Sequence, residues 1–465
     1  IVLDLQREVA TALRLIDSAD VVIENFRPGV MERLGLGAES SMSSNRRLIY
    51  CSLPGFAADD PRAGLAAWEG IVGAAAATYE RARPPDPEFE LDRPSFTAIP
   101  LASCYAGMLA ATAIVMALIA RQRAGFGQRI EVPLFDAMFE ALGWRAMRAH
   151  SQPPKSLVRD VYGGGTYQCA DGRWVQFNTQ NPRFLGWFAA AAGAGWGELL
   201  DTDRLAHDPA LLEALHTRMQ ELFRTRSSAQ WEELGQRAGV PLCTCRTSAE
   251  WLAHEHARSS SAVVRVEDPE LGPVWQAGLA VKLSATPLAV RFARRPLDAD
   301  RALVLAELDG NGTLTLPSPA VAGEGSEGLR LPLEGMHVVD MTQVLAGPTA
   351  GRILAEYGAE VTKINDPRQP DVYDHAHINR GKRTLLLDLA NEAGRDVLWP
   401  LIDRADVVLQ NFRHGTASRL DLGYEQINRR NPNVVYASVS AYGYGGPRAA
   451  GRGYEVQGQA MTGMM

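Results

Sequence analysis

From residue 333 onward, short apolar runs alternate with stretches whose apolar positions recur at helical spacing. His337 to Met341 predicts a strand, Thr349 to Tyr357 a helix and Ala359 to Ile364 a strand. Glu392 to Asp403 then predicts a helix, with strands at Asp406 to Leu409 and Val434 to Ser438. Strand and helix alternation of this kind builds a parallel sheet covered on both faces. The N-terminal part shows the later portion of the same pattern: strands near Val21 and Leu48, then a long helix from Ala102. Between Gly163 and Trp251 the pattern changes to short strands such as Trp174 to Phe177 and polar helices such as Ser228 to Ala238, which predicts a smaller inserted α+β domain. Residues 311–327 are rich in Gly, Pro, Ser and Ala and have the composition of a linker.

The pattern also repeats in its residues. Asp20-Val21-Val22, Asn25-Phe26-Arg27 and Leu36-Gly37 recur as Asp406-Val407-Val408, Asn411-Phe412-Arg413 and Leu422-Gly423, with 411 − 25 and 423 − 37 both giving 386. Laid over each other without a gap, residues 20–62 and 406–448 share 17 identities in 43 positions, Pro61-Arg62 on Pro447-Arg448 among them. Solenoid units run to about 20 to 50 residues, so each copy here is a whole domain or more. The chain reads as a tandem duplicate. It opens in mid-domain without a Met, and its second copy stops where the first continues, so it reads as a fragment truncated at both ends.

The expected plan is then 1–155 as the large domain of copy one, 156–260 as the small α+β domain and 261–310 as a return segment. A linker at 311–330 and a second large domain at 331–465 complete it. A length of 465 residues exceeds what one hydrophobic core sustains. The composition, 46% hydrophobic and 22% charged, is that of an ordinary globular protein. A formal net charge of −7 gives no electrostatic reason to expect nucleic acid or an anionic membrane as partner. Cys51, Cys104, Cys169, Cys243 and Cys245 are odd in number and scattered, which argues for a reducing, cytoplasmic setting rather than a disulfide framework. Cys243 and Cys245 have no second pair at ligand spacing, so no metal is expected. The uncharged run Pro100 to Ala120 is long enough to cross a bilayer, but its small residues favour a helix packed on a sheet.

Val344-Leu345-Ala346-Gly347-Pro348 lies between a predicted strand and a predicted helix, where free N–H groups can meet an anion. The turn is not GxGxxG, so NAD is disfavoured. Lys363, Arg368, Arg380, Lys382 and Arg383 follow, a basic set that suits a phosphorylated ligand or a solvated face.

At this point the chain resembles the family III CoA-transferases, the family of formyl-CoA and carnitine CoA-transferases and of the related acyl-CoA racemases. The matching residues are Val338-Val339-Asp340, Leu345 to Pro348, Asn379 to Arg383, Asn411-Phe412-Arg413 and Gly453-Tyr454-Glu455 in copy two. In copy one they are Asn25 to Gly29, Arg33 to Leu36, Gly127-Gln128, Phe135-Asp136-Ala137, Ala170-Asp171-Gly172 and Asp268 to Pro273. The resemblance implies Rossmann-like parallel-sheet domains in an interlocked architecture, as a homodimer or an intramolecular pseudo-dimer. It implies CoA-transfer from an acyl-CoA thioester to a small carboxylic acid, with coenzyme A as substrate and Asp136 as nucleophile. By the same resemblance Glu69 stands beside the active site, and Gly163, Gly164 and Gly165 match a glycine loop that covers intermediates. Asn25, Phe26, Arg27 and Arg33, with Asn411, Phe412, Arg413 and Arg419, match positions lining the CoA channel. Val344, Leu345, Ala346, Lys363, Lys382 and Arg452 match further CoA contacts, with Ala66 opposite Arg452 in copy one. A racemase needs a His partner for its Asp, and that position holds Trp68 in copy one and Tyr454 in copy two. Leu345 replaces the Gln of the formyl-CoA enzymes, so oxalate or formate is not implied. Two alternatives stay open: a non-catalytic scaffold copy that completes its partner, and a CoA-dependent lyase or isomerase.

Overall fold

In the computed structural model, residues 1–78, 99–143, 163–179, 181–205, 207–290, 293–309, 331–368 and 375–464 are described. The expected linker at 311–330 and the domain junction at 155 and 156 lie outside them.

The first segment forms a parallel sheet of β1 (Val21–Glu24), β2 (Ile49–Ser52) and β3 (Arg129–Glu131), in that order. Val21 pairs with Ile49 and Cys51 with Ile130. β2 is buried along its whole length, as expected of a parallel strand covered on both faces. The Leu101–Ala124 helix covers one face through Ala110, Ile114 and Ala117, which pack on Ile49 and Cys51. Small residues on that stripe let the helix approach the sheet closely. Leu101, Met108 and Val115 on the same helix are exposed, and by length and composition it is the one helix among the described residues able to cross a membrane.

The smaller unit is an antiparallel sheet of β4 (Gly165–Gln168), β5 (Trp174–Phe177) and β6 (Leu242–Thr244), packed under the Arg183–Ala192, Pro209–Phe223 and Ser228–Ala238 helices. Its core stacks Tyr167, Phe177, Phe188, Phe223 and Trp231, with the Trp231 indole N–H donating to Phe223 O at 2.8 Å. A hairpin of β7 (Val263–Asp268) and β8 (Gly272–Ala277) follows. The Asp268-Pro269-Glu270-Leu271-Gly272-Pro273 stretch supplies its turn, with Gly272 at φ +70° and the Asp268 carboxylate accepting from the Leu271 N–H.

The second segment carries β9 (His337–Asp340), β10 (Glu360–Asn365), β11 (Arg383–Leu386), β12 (Val407–Gln410) and β13 (Val435–Ser438). They form a parallel five-stranded sheet in the order β11-β10-β9-β12-β13. All four strands expected here are present. β11, at residues expected to bind a ligand, is the addition.

The two repeated stretches fold alike down to single hydrogen bonds. Tyr50 Oη donates to Leu36 O at 3.1 Å, and Tyr436 Oη to Leu422 O at 3.0 Å. Asn45 Nδ2 donates to Ala19 O at 3.0 Å, and Asn431 Nδ2 to Ala405 O at 2.8 Å. Gly29 and Gly415, at φ +82° and +74°, open equivalent short helices in the left-handed region that glycine occupies without strain.

Candidate active site

Asp136 sits in the first turn of the Leu134–Ala141 helix, which starts at Pro133 directly after β3. Pro133 fixes φ for the helix start, and Val132 N–H donates to Ser52 O, so the end of β2 sets where the helix begins. Leu134 and Phe135 N–H groups then donate to Pro54 O and Gly55 O. A cleft of about 370 Å³ opens beside this turn, lined by Asn25, Phe26, Arg27, Pro28, Trp68, Ser103 and Leu134 among others. The loop leaving β1 and the start of the Asp136 helix thus share one cavity. A smaller neighbouring cleft of about 120 Å³ runs between Arg27, Glu24, Glu32, Arg129 and Glu131.

Asp136 is exposed overall, but partial desolvation of its carboxyl pushes it above the ordinary aspartate range, with Asp60, Asp59 and Glu131 adding to the rise and Arg62 opposing it. Arg62 is held in place by Asp60, Nε to Oδ1 at 2.9 Å and Nη2 to Oδ2 at 2.7 Å. Its guanidinium lies over the rings of Phe56 and Phe135, 4.3 and 4.4 Å from their centroids. Sequence reasoning missed Asp60 and Arg62 as parts of this site. The repeat had flagged Arg62, but only as an identity.

Glu69 lies next to the cleft through Ser103, one of its lining residues, and caps a helix there. Its carboxylate accepts from Ala102 N at 2.8 Å, Ser103 N at 2.9 Å and Ser103 Oγ at 2.7 Å, capping the Leu101–Ala124 helix. A carboxylate there satisfies orphan N–H groups and meets the positive end of the helix dipole. Glu69→Ala is expected to cost about 1 to 2 kcal/mol of stability, read from urea denaturation midpoints. Gly163 and Gly165 lie at φ +65° and +155°, and a Cβ on Gly163 would meet Leu185 at 3.2 Å. Gly163 O accepts from Tyr167 Oη at 3.0 Å, so Gly163 and Gly164 lead into β4, which Gly165 opens, on the core of the smaller unit.

In the second segment the first turn has Val344 at φ +70° and the helix begins at Ala346, with Leu345 as its cap. Asn411 braces this turn from both sides, accepting from Gln343 N at 2.8 Å and donating to Gln343 O at 2.7 Å. Phe412 N donates to Gln410 Oε1 at 2.7 Å, and Arg419 Nη2 to Thr416 Oγ1 at 2.8 Å. Arg33, the counterpart of Arg419, is exposed on the Val30–Arg33 helix.

The basic set divides in two, with the lysines buried and the arginines on the surface. Lys363 and Lys382 have fully buried side chains aimed at Asp340, itself fully buried. Lys382 Nζ donates to Asp340 Oδ2 at 2.8 Å and to Pro348 O at 2.7 Å, while Lys363 Nζ lies 3.7 Å from Asp340 Oδ1 and donates to Thr342 O. Burial lowers Lys363 to about 8. Arg368, Arg380 and Arg383 are paired with Asp366 and Asp388, with Glu356 and with Glu360. The two lysines tie β9 and β10 to the segment that follows them, whereas the arginine pairs are exposed and contribute little to stability. Arg452 of the second segment stacks over Trp187 and Phe184, 4.6 and 5.2 Å from their centroids, and burial with the nearby Arg413 lowers its pKa.

Among the described residues no group of three or more His, Cys, Asp or Glu could hold a metal ion. A family model described as CoA-transferase family III matches residues 1–301 and 333–465. The chain is 28% identical over 532 residues to the CoA-transferase/lyase DddD of Marinomonas sp., covering 98% of this chain and 61% of that protein. It is 27% identical over 478 residues to the probable CoA-transferase Rv1866 of Mycobacterium tuberculosis, covering 97% of this chain and 58% of that protein. It therefore spans about three-fifths of the length of these relatives. A solved CAIB/BAIF family protein from Brucella suis shares the fold with a TM-score of 0.54 and 26% identity, over 66% of this chain and 81% of that one.

Proposed function

The chain belongs to CoA-transferase family III, and on that premise we propose that it moves coenzyme A from an acyl-CoA thioester to a carboxylic acid through Asp136. The cleft joining the Asn25-Phe26-Arg27 loop to the first turn of the Asp136 helix carries this reading. An Asp136 oxygen attacks the thioester carbonyl carbon, the C–S bond breaks and the CoA thiolate leaves, giving a mixed anhydride. The thiolate then attacks the aspartyl carbonyl, releasing the donor acid and leaving an aspartyl-CoA thioester. The acceptor carboxylate displaces the thiolate to form a second anhydride. Attack of the thiolate on its acyl carbon releases the new acyl-CoA and restores the Asp136 carboxylate. Charge is conserved through the cycle and no net proton moves.

Matching hydrogen bonds in residues 19–52 and 405–438 support reading the two segments as tandem copies. Contacts of the smaller unit with residues 442–461 support an intramolecular pseudo-dimer, in which that unit is completed by the second copy. Arg413 and Arg452, beside that contact, are the second copy's cations for the CoA phosphates. A lyase step after transfer is the second reading, favoured by the likeness to the CoA-transferase/lyase of Marinomonas sp..

The test is incubation of the protein with a panel of acyl-CoAs, trapping with hydroxylamine or borohydride, and peptide mass spectrometry. An adduct on Asp136 is the expected result. A panel that labels no carboxylate, or one in the second segment alone, would leave the first copy as scaffold.

A further inference from the structure

The helix that carries Asp136 ends in a charge cluster that no step of the proposed reaction uses. Asp136 and Glu140 stand four residues apart on the Leu134–Ala141 helix and therefore share a face. Glu140 Oε1 accepts from Nη2 of Arg352, and Glu140 Oε2 lies 3.8 Å from Nη2 of Arg380. Arg352 belongs to the Ala346–Glu356 helix of the second segment, the helix that opens at the Val344-Leu345-Ala346 turn. Its side chain is 1% exposed, its Nη1 is 3.5 Å from Glu356, and its Nε has no hydrogen-bond acceptor among the described residues.

A guanidinium this deeply buried needs its counter-charge close by. Glu140 supplies the contact at hydrogen-bond distance and Glu356, on Arg352's own helix, a looser one at 3.5 Å, so rotation or sliding of the Leu134–Ala141 helix costs Arg352 its direct hydrogen-bonded carboxylate. We propose that Glu140 is a positioning residue: gripped by Arg352 across the two halves of the chain, it holds the helix on which Asp136 must meet the thioester. The inference rests on the transferase reading. The role proposed for Glu140 is to place the helix, not to set the ionisation of the nucleophile.

The test measures the Asp136 labelling rate by quenched mass spectrometry in Glu140→Gln, Arg352→Met and the combined variant. Each single change should slow labelling about ten- to a hundredfold, with KM for acyl-CoA and the acid limb of the pH profile unmoved. The combined variant should be no slower than the worse single one, because both remove the same contact. Wild-type labelling rates in both single variants, an additive double, or a displaced acid limb would overturn the proposal. Amide exchange gives a reading that does not depend on transfer: residues 134–141 should exchange faster in Arg352→Met while residues 163–179 keep their protection. If the unaltered protein takes no label on Asp136, the transferase reading has failed. Unchanged exchange at 134–141 would then overturn the brace as well.

Discussion

Asp136→Asn is expected to lower CoA transfer by on the order of 10⁴-fold or more and, at neutral pH, to raise the melting temperature. The first effect is chemical, because an amide oxygen carries no charge with which to attack a thioester and cannot be regenerated from an anhydride. The second follows from the environment of Asp136. Partial desolvation at an exposed position, with Asp60, Asp59 and Glu131 nearby, raises its folded pKa. For a carboxyl raised in the folded state, the stabilising contribution is complete below the unfolded pKa and is lost as pH rises through the folded value. At neutral pH the ionised group is therefore a cost, and Asn removes it. The same shift displaces the acid limb of kcat/KM upward from the ordinary aspartate value, since only the ionised form attacks. Transfer retained within about tenfold in the Asn variant would remove Asp136 from the mechanism. A lower melting temperature at neutral pH would show that the carboxylate is held by favourable partners instead.

The strand and helix schedule of the second segment was legible because parallel strands covered on both faces read as short apolar runs, as at Val338-Val339 and Val407-Val408-Leu409. β11 escaped for the opposite reason: Arg383 to Leu386 is exposed at every position. The repeat made the Asn25-Phe26-Arg27 loop visible, and the structure opens a cleft there that reaches the Asp136 helix. The role of Lys363 was hidden because no local pattern reveals parallel register. β10 lies beside β9 with Lys363 opposite Asp340, which turns a surface-looking lysine into a buried partner. Glu69 was hidden in the same way, as the residues it caps are remote in sequence and adjacent only once the long helix packs.

Glu232→Ala is expected to cost about 3 to 5 kcal/mol, because it removes the one carboxylate between two nearly buried arginines. Glu232 is 5% exposed, at the seam between the smaller unit and the second segment. Its Oε2 accepts from Arg246 Nη2 at 2.5 Å and from Thr244 Oγ1 at 3.0 Å, and its Oε1 accepts from Arg448 Nη2. Arg448 is the repeat counterpart of Arg62, so residues at equivalent positions do separate work: one lies near the nucleophile, the other ties the smaller unit down. Around it Arg246 N donates to Ala460 O at 2.8 Å, and Cys243 packs against Ala460 and Met461. Burial raises Glu232, but the Arg246 hydrogen bond and the charges of Arg448 and Arg246 outweigh it and leave its pKa below the ordinary 4.5. A depressed carboxylate contributes stability that is present above the unfolded pKa and lost as pH falls through the folded one. Acid should therefore loosen this seam, with residues 442–461 losing amide protection below about pH 4.5. The variant removes the carboxylate but leaves both arginines, and that stranded charge is the source of the penalty. Glu232→Leu combined with Arg246→Met and Arg448→Leu should recover most of the loss, because a buried triad replaced by apolar groups of similar volume is close to neutral. Urea denaturation of the two variants decides the matter. A loss below about 1 kcal/mol in Glu232→Ala would mean that water reaches the arginines and that the seam is held by its apolar contacts alone.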